Sequence, residues 1–257
     1  MANVETQPAD DSARTNLSMV IAPYLPYLRR YARSLCGDQS AGDGFVAQTL
    51  EALIEDRNAI DHSLAPRVGL YKLFQTIWSA TSLDGEDDAT TRSRQMLLLT
   101  AVEEFSDDDA AAIMDVDASA ASALRTAAQA ELKRQKRARV LIIEDEPIIA
   151  LDIEDIVSGM GHQVVGVADT HAEAVAKAEA SDPDLILADI QLADGSSGVE
   201  AVDEIMASAT KPVIFITAYP ERLLTGDRVE PPFLITKPFR AEAIEAAIAQ
   251  ALFHNPA

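Results

Sequence analysis

The chain is poor in cysteine and in positive charge, and it has no long apolar run. Cys36 is the only cysteine among 257 residues. No intrachain disulfide can therefore form, which points to a reducing compartment and to a fold held by its core. Lys and Arg number 21 against 42 Asp and Glu, a formal net charge of -21. That balance argues against non-specific attachment to nucleic acid or to an anionic membrane, both of which need positive potential. It suits a cation site or a basic protein partner. No apolar stretch approaches the roughly 18 residues of a spanning helix. The N-terminal MANVETQPADDSAR lacks the basic-then-apolar order of a signal peptide. The expected location is cytoplasmic.

What is present divides near residue 135. Residues 1–14 read as a disordered tail. Ile21, Leu25, Leu28, Ala32 and Leu35 then recur at helical spacing, with Pro23 in the first turn, Pro26 delaying or kinking the helix and Gly37 ending it. Ser40 with Asp43 resembles a capping box before a second helix, and a third is predicted over 66–78. The acidic, turn-rich stretch 79–91 reads as a linker. A further helix is predicted from Arg92, then two short ones: Ser106 to Asp109 caps the first, Asp115 to Asp117 forms the turn, and the second starts near Ala118. Nothing before Lys133 reads as a strand. Arg29, Arg30 and Arg33 cluster on one helix and read as a solvated face. KRQKRAR, over 133–139, breaks the pattern and reads as a solvated linker or helix end.

Beyond it, apolar strands at 140–143, 163–168, 184–188, 213–216 and 233–235 alternate with helical stretches at 147–160, 171–180, 198–208 and 240–252. That is a doubly wound, five-stranded parallel α/β unit. Polar residues follow the apolar runs: Glu144-Asp145-Glu146 after VLII, Asp189 after LILA, Thr217 after VIFI, and Lys237 after FLIT. They fall at the carboxyl ends of the strands, the edge where open α/β sheets bind ligands. Acids, a hydroxyl and a lysine converging there suit a divalent cation and a phosphoryl group, which a carboxylate can carry covalently. Glu146 reads as the start of a helix. His62, His162, His171 and His254 show no metal-ligand spacing and receive no role.

Over 139–257 the chain resembles the response-regulator receiver domain. VLIIEDEP, LILADIQLADGSSGVE, VIFITAYP and ITKPF match its signature segments in order and spacing. The resemblance implies that Asp189 is the phosphoacceptor, charged by a sensor histidine kinase or a phosphotransfer protein. It implies that Mg²⁺ is held by Glu144, Asp145, Asp189 and the backbone carbonyl of Gln191. Thr217 and Lys237 would sense the phosphoryl group, and Lys237-Pro238 would be cis in the family manner. Receivers usually carry Phe or Tyr three residues before the lysine; here Leu234 stands there. Tyr219 and the segment after it, with Gly226, resemble an atypical receiver subfamily and are expected to form the switch region. No turnover of an external substrate is expected, so the chain is not read as an enzyme.

Residues 15–132 resemble an extracytoplasmic-function sigma factor: a region 2-like part over 15–78 and a region 4-like helix-turn-helix over 92–132, with 133–138 as the linker to the receiver. The DNA surface is missing. Residues 1–130 hold 10 Lys and Arg against 20 Asp and Glu, a net of -10. Positions where sigma factors often carry Lys or Arg hold Ser122, Leu124, Ala127, Gln129 and Glu131, and Arg125 is the one basic residue there. Such a domain is repelled by duplex DNA. The order, sigma-like domain then receiver, resembles the PhyR family of general stress response regulators in alphaproteobacteria. That resemblance implies an anti-anti-sigma factor. Phosphorylation would release the sigma-like domain from an intramolecular contact with the receiver, and the domain would capture the anti-sigma factor NepR. Two other readings are a DNA-binding transcriptional response regulator and a phosphatase or phosphotransferase. The latter often needs a second acid two residues after the nucleophile, where Gln191 stands.

Overall fold

The computed structural model describes residues 18–81, 89–134, 136–192, 194–208, 210–220 and 231–254. The expected tail over 1–14, the centre of the stretch read as a linker, and the segment around Gly226 lie outside the described residues.

The helical half begins with a 3₁₀ turn, Ala22–Tyr24, leading into α1, Leu25–Cys36. Proline at the start of each fits, because a first turn needs no N–H from it. Gly37 closes α1 at φ 69, the left-handed conformation that glycine adopts without a Cβ penalty. The second helix, α2, spans Gln39–Glu55. Its cap is Asp38, whose side chain accepts from the Ala41 N–H. The box read at Ser40 and Asp43 does not form, because Asp43 turns back to α1 and pairs with Arg33 (2.6 Å) and Arg29 (3.3 Å).

Helix α3 covers Pro66–Thr81 and α4 covers Ala89–Leu97, so helix extends into both ends of the stretch read as a linker. One turn of π-helix, Leu98–Val102, continues α4. Then come α5, Asp107–Met114, capped by Ser106, and α6, Ala118–Leu132, capped by Asp117, with Asp115 in the left-handed region between them. These helices share one core that includes Tyr31, Leu70, Tyr71, Phe74, Met96, Leu99 and Ile113. Both arms of the helical half contribute to it.

Two of the three clustered arginines are buried in ion pairs, and the third, Arg29, is partly exposed on Asp43. Arg33 is fully buried on Asp43, and Arg30 is 5 % exposed on Glu103. Position on one helix suggested solvent; a carboxylate on another element brought them inside, as a buried guanidinium requires. On α6, Arg125 is also paired, with Asp107 at 2.6 Å. The KRQKRAR stretch is exposed where described, apart from Ala138.

The second half is a parallel sheet of β1 (Arg139–Ile143), β2 (Gln163–Ala168), β3 (Leu185–Ala188), β4 (Val213–Thr217) and β5 (Phe233–Thr236), in spatial order β2-β1-β3-β4-β5. Alternation along the strands splits the core. Leu141, Ile143, Ile186, Ala188, Phe215 and Leu234 face α8 (His171–Ser181) and α9 (Gly198–Met206). Val140, Ile142, Leu185, Leu187, Ile214 and Ile216 face α7 (Pro147–Gly159) and α10 (Ala241–His254). Strands buried on both faces read as continuous apolar runs, which is why they are legible in the sequence.

Helix α10 is buried almost all round. Ile244, Ala247, Ile248 and Ala251 belong to the sheet-side core. Ala246, Ala249 and Gln250 are buried where α10 meets the helical half. Gln250 donates to the Ser34 carbonyl at 3.0 Å, and the Ser34 hydroxyl donates to the Pro232 carbonyl at 2.7 Å. The Arg94 guanidinium sits over the Phe253 ring, 3.3 Å from its centroid. Small side chains let the helices approach, and a few polar bonds fix the register.

Candidate functional site: an acidic cluster at the sheet edge

The strand ladder runs one residue past each strand and so fixes the backbone of the site. The Glu144 N–H donates to Ala168 O (2.9 Å), Asp189 N–H to Ile143 O (2.8 Å), and Lys237 N–H to Thr217 O (2.7 Å). Registers Ile143↔Ala188 and Thr217↔Thr236 bring the strand ends level. Thr217 itself is fully buried, and its Oγ1 accepts from the Tyr219 N–H at 3.1 Å.

Glu144, Asp145 and Asp189 each present a carboxylate oxygen within 4.8 Å of the others. Lys237 joins them: its Nζ donates to Asp189 Oδ2 at 2.6 Å and to Glu144 Oε1 at 3.0 Å. Asp189 Oδ1 accepts from the Ile190 N–H (2.5 Å) and the Gln191 N–H (3.3 Å). Lys237 Nζ is also 2.9 Å from Glu144 Oε2, an ion-pair distance, but this buried oxygen accepts no hydrogen bond. Three carboxylates against one ammonium leave a local excess of negative charge. An all-oxygen donor set with an orphaned buried oxygen fits a hard divalent cation such as Mg²⁺. Glu146 starts α7 and stays 3.8 Å from Lys237. The Lys237-Pro238 bond is cis.

Burial raises the Glu144 carboxyl to about 7, with Lys237 opposing the rise and Asp189 adding to it. Between the ordinary carboxylate value and about 7, the folded state holds a proton that the unfolded chain has released. This group therefore withdraws stability as pH rises through that window. Cation binding needs the carboxylate, so Mg²⁺ affinity is expected to strengthen from roughly pH 6 to pH 8, with proton release. Calorimetry in two buffers of different ionisation enthalpy measures both. Affinity that is flat across that range, or an unaltered slope in Glu144→Gln, would contradict the assignment.

The structure brings Glu144, Asp145, Asp189 and Lys237 into contact and puts Thr217 on the same edge. Gln191 contributes its N–H to Asp189. Tyr219 is 46 % exposed beside Thr217. Leu234 lies buried in the core with Phe215.

Sequence reasoning missed Gly198. Its N–H donates to Ile190 O at 3.0 Å, and a Cβ there would stand 1.8 Å from the Asp189 carbonyl oxygen. The loop from Asp189 folds back on itself through the Gln191↔Ser197 bridge, with Ser197 capping α9. Only a residue without a side chain fits against the Asp189 backbone. The signal was the second glycine of ADGSSGVE, just before a helical run.

Three family models match. Residues 21–75 match the Sigma2 domain of PhyR, 88–135 the sigma-like domain of the response regulator PhyR, and 140–249 the response regulator receiver domain. Among curated proteins, the phyllosphere-induced regulator PhyR of Methylorubrum extorquens AM1 is 47 % identical over 251 residues, covering 92 % of this chain and 94 % of its own. Among solved structures, the response regulator PhyR of Brucella abortus is 51 % identical, covers 93 % of this chain and 94 % of its own, and superposes with a TM-score of 0.86. The anti-anti-sigma factor PhyR of Bartonella quintana, solved with the anti-sigma factor NepR, is 48 % identical, with 93 % of this chain and 100 % of that one covered and a TM-score of 0.45. A helical sigma-like half joined to a receiver, matched along nearly the whole length at such identity, establishes that the chain belongs to the PhyR family.

Proposed function

We propose that this chain is a phosphorylation-controlled anti-anti-sigma factor. Phosphorylation of Asp189 frees the sigma-like domain to capture an anti-sigma factor of the NepR type, and so releases the stress sigma factor. The observation that carries this reading is the placement of Lys237. Its ammonium holds Asp189, and it lies between β5 and α10, both packed against the helical half.

The proposed chemistry follows from the site. A carboxylate oxygen of Asp189 attacks the phosphorus of a phosphohistidine on a sensor kinase or phosphotransfer protein. The P–N bond breaks as the P–O bond forms, and the imidazole keeps the electron pair. Glu144, Asp145, Asp189 and the Gln191 carbonyl would hold Mg²⁺, which supplies charge neutralisation for the transferring group. Lys237 stabilises the same developing charge. The Thr217 hydroxyl can turn to donate to a phosphoryl oxygen.

Asp189 already carries about one negative charge, so the acyl phosphate of roughly -2 charges raises the local negative charge by about one. Lys237 must then divide itself between phosphoryl and carboxylates, and a turn of the Thr217 hydroxyl toward the phosphoryl group draws on the oxygen that now accepts the Tyr219 N–H. Both ends of that rearrangement lie at the carboxyl ends of β4 and β5, and β5 packs against α1 of the helical half. A bias of roughly 3–5 kcal/mol shifts a closed–open equilibrium by a few hundred-fold or more.

A DNA-binding role is disfavoured by the acidic helical half and by the Arg125–Asp107 pair on α6. Among the described residues no helix is long and apolar enough to cross a membrane, which is in keeping with a cytoplasmic role.

Intact-mass analysis after incubation with acetyl phosphate and Mg²⁺ tests the phosphoacceptor. Wild type should gain one phosphoryl group and Asp189→Ala none. Equal gain in both, or none in wild type, would overturn the assignment.

A further inference from the structure

The most unusual backbone in the helical half lies just before α5, and one buried carboxylate organises it. Leu98–Val102 forms a π turn. The Glu103 N–H closes it by donating to Leu98 O at 2.9 Å. Glu104 then takes φ 56, the left-handed region that a non-glycine side chain disfavours. The Phe105 N–H returns to Leu99 O at 3.0 Å. Wide turns and left-handed non-glycine residues persist only where their surroundings over-determine them.

Here the surroundings are an ion cluster. The Glu103 side chain is completely buried. Arg30 on α1 donates its Nε to Oε1 at 2.9 Å. Tyr71 on α3 donates to Oε2 at 2.9 Å. Arg67 on α3 reaches Oε2 at 3.3 Å and the Glu103 carbonyl at 2.7 Å, with its guanidinium 4.2 Å from the Phe105 ring centroid. Every partner comes from the first arm of the helical half, and Glu103 belongs to the second.

The same turn is the receiver's seat. Helix α10 packs on Leu98–Val102. A cleft of about 490 Å³ beside it is lined by Arg30, Arg67 and Glu103 on one side and by residues 236–240 on the other. Relaxing the π turn to a regular α-helix would remove one residue from the turn. That rotates the following side chains by about 100° and withdraws the surface that α10 meets.

We propose that Glu103 is a positioning residue for the domain contact: its ion cluster holds the turn in the only shape on which the receiver can dock. Losing the cluster would undock the receiver without any phosphoryl group. The proposal rests on the partner-capture reading only for its downstream consequence, the exposure of the sigma-like surface.

The test uses the full chain with Cys36→Ser, spin labels at Ile54→Cys on α2 and Leu151→Cys on α7, and Asp189→Ala to exclude phosphorylation. Both label positions are exposed. Glu103→Gln keeps the shape and removes the charge. Arg67→Lys keeps the charge and loses the fork, and its partly exposed site tolerates the change. Val46→Ala, in the helical core but away from the cluster, is the control for general loosening.

The expected result is a longer interdomain distance in Glu103→Gln and in Arg67→Lys, with the docked-to-undocked ratio falling at least about ten-fold, and an unchanged distance in Val46→Ala. Unchanged distances in the folded cluster variants would overturn the proposal, as would equal lengthening in the control. A lengthened distance without any gain in anti-sigma factor binding would support the positioning role while contradicting the capture reading.

Discussion

Gly198→Ala is expected to disable the receiver through its first carbon atom. The added Cβ would lie 1.8 Å from the Asp189 carbonyl oxygen and 3.0 Å from its carbonyl carbon. Neither can yield cheaply. The Asp189 N–H is tied to Ile143, and Gly198 is itself bonded to Ile190. Overpacking against fixed backbone costs about 3 kcal/mol, which lowers the receiver's melting temperature by roughly 10 °C. The phosphoacceptor also moves, because the clash is with its own backbone. Differential scanning calorimetry and phosphoryl incorporation from acetyl phosphate check the two parts. Wild-type stability with wild-type incorporation would show that the close approach is unimportant.

Lys237→Ala should have a comparable effect by an electrostatic route, with an opposite signature toward cations. The ammonium is nearly buried and serves both Glu144 and Asp189. Removing one partner from a buried ion cluster costs about 3–5 kcal/mol, because the remaining charges are stranded. The Glu144 carboxyl, already near 7 with the lysine present, would rise further and stay protonated at neutral pH. Mg²⁺ can replace part of the missing charge. Added Mg²⁺ should therefore stabilise Lys237→Ala more than wild type, and above pH 8 its affinity for the variant should be roughly ten-fold higher, or about 1.4 kcal/mol. Melting curves across a Mg²⁺ titration measure this. Equal Mg²⁺ stabilisation of both proteins would show that ammonium and cation do not share the carboxylates.

The receiver was legible from sequence because its physics is local. Each strand is a short apolar run buried on both faces, and each candidate site residue falls within two positions of the end of such a run. Glu144, Asp189, Thr217 and Lys237 thus announce themselves by position. The five predicted strands agree with the observed ones to within a residue at each end. What escaped depends on contacts between distant segments. Gly198 matters because of where the Asp189 backbone passes. Arg30 looks solvated until Glu103, 73 residues away, is placed beside it. Asp38 outcompeted Ser40 as a cap because Asp43 was already engaged by Arg33.

The two faces of α10 follow the same logic. Ile244, Ala247, Ile248 and Ala251 recur at the helical spacing that sheet packing alone requires, and only the docked helical half shows why Ala246 and Ala249 are small. His162 was given no role. It is buried with Nδ1 accepting from the Ala138 N–H, and burial lowers its pKa. It thereby pins the start of the receiver just past the interdomain linker. A lone histidine in sequence carries no hint of that acceptor.

The decisive comparison is anti-sigma factor affinity in four samples: wild type and Asp189→Ala, each with and without acetyl phosphate and Mg²⁺. If a phosphoryl group on one buried carboxylate uncovers the sigma-like helices, wild type with donor should bind roughly 100-fold more tightly than the other three, a difference of about 2.7 kcal/mol. Four equal affinities would contradict the account.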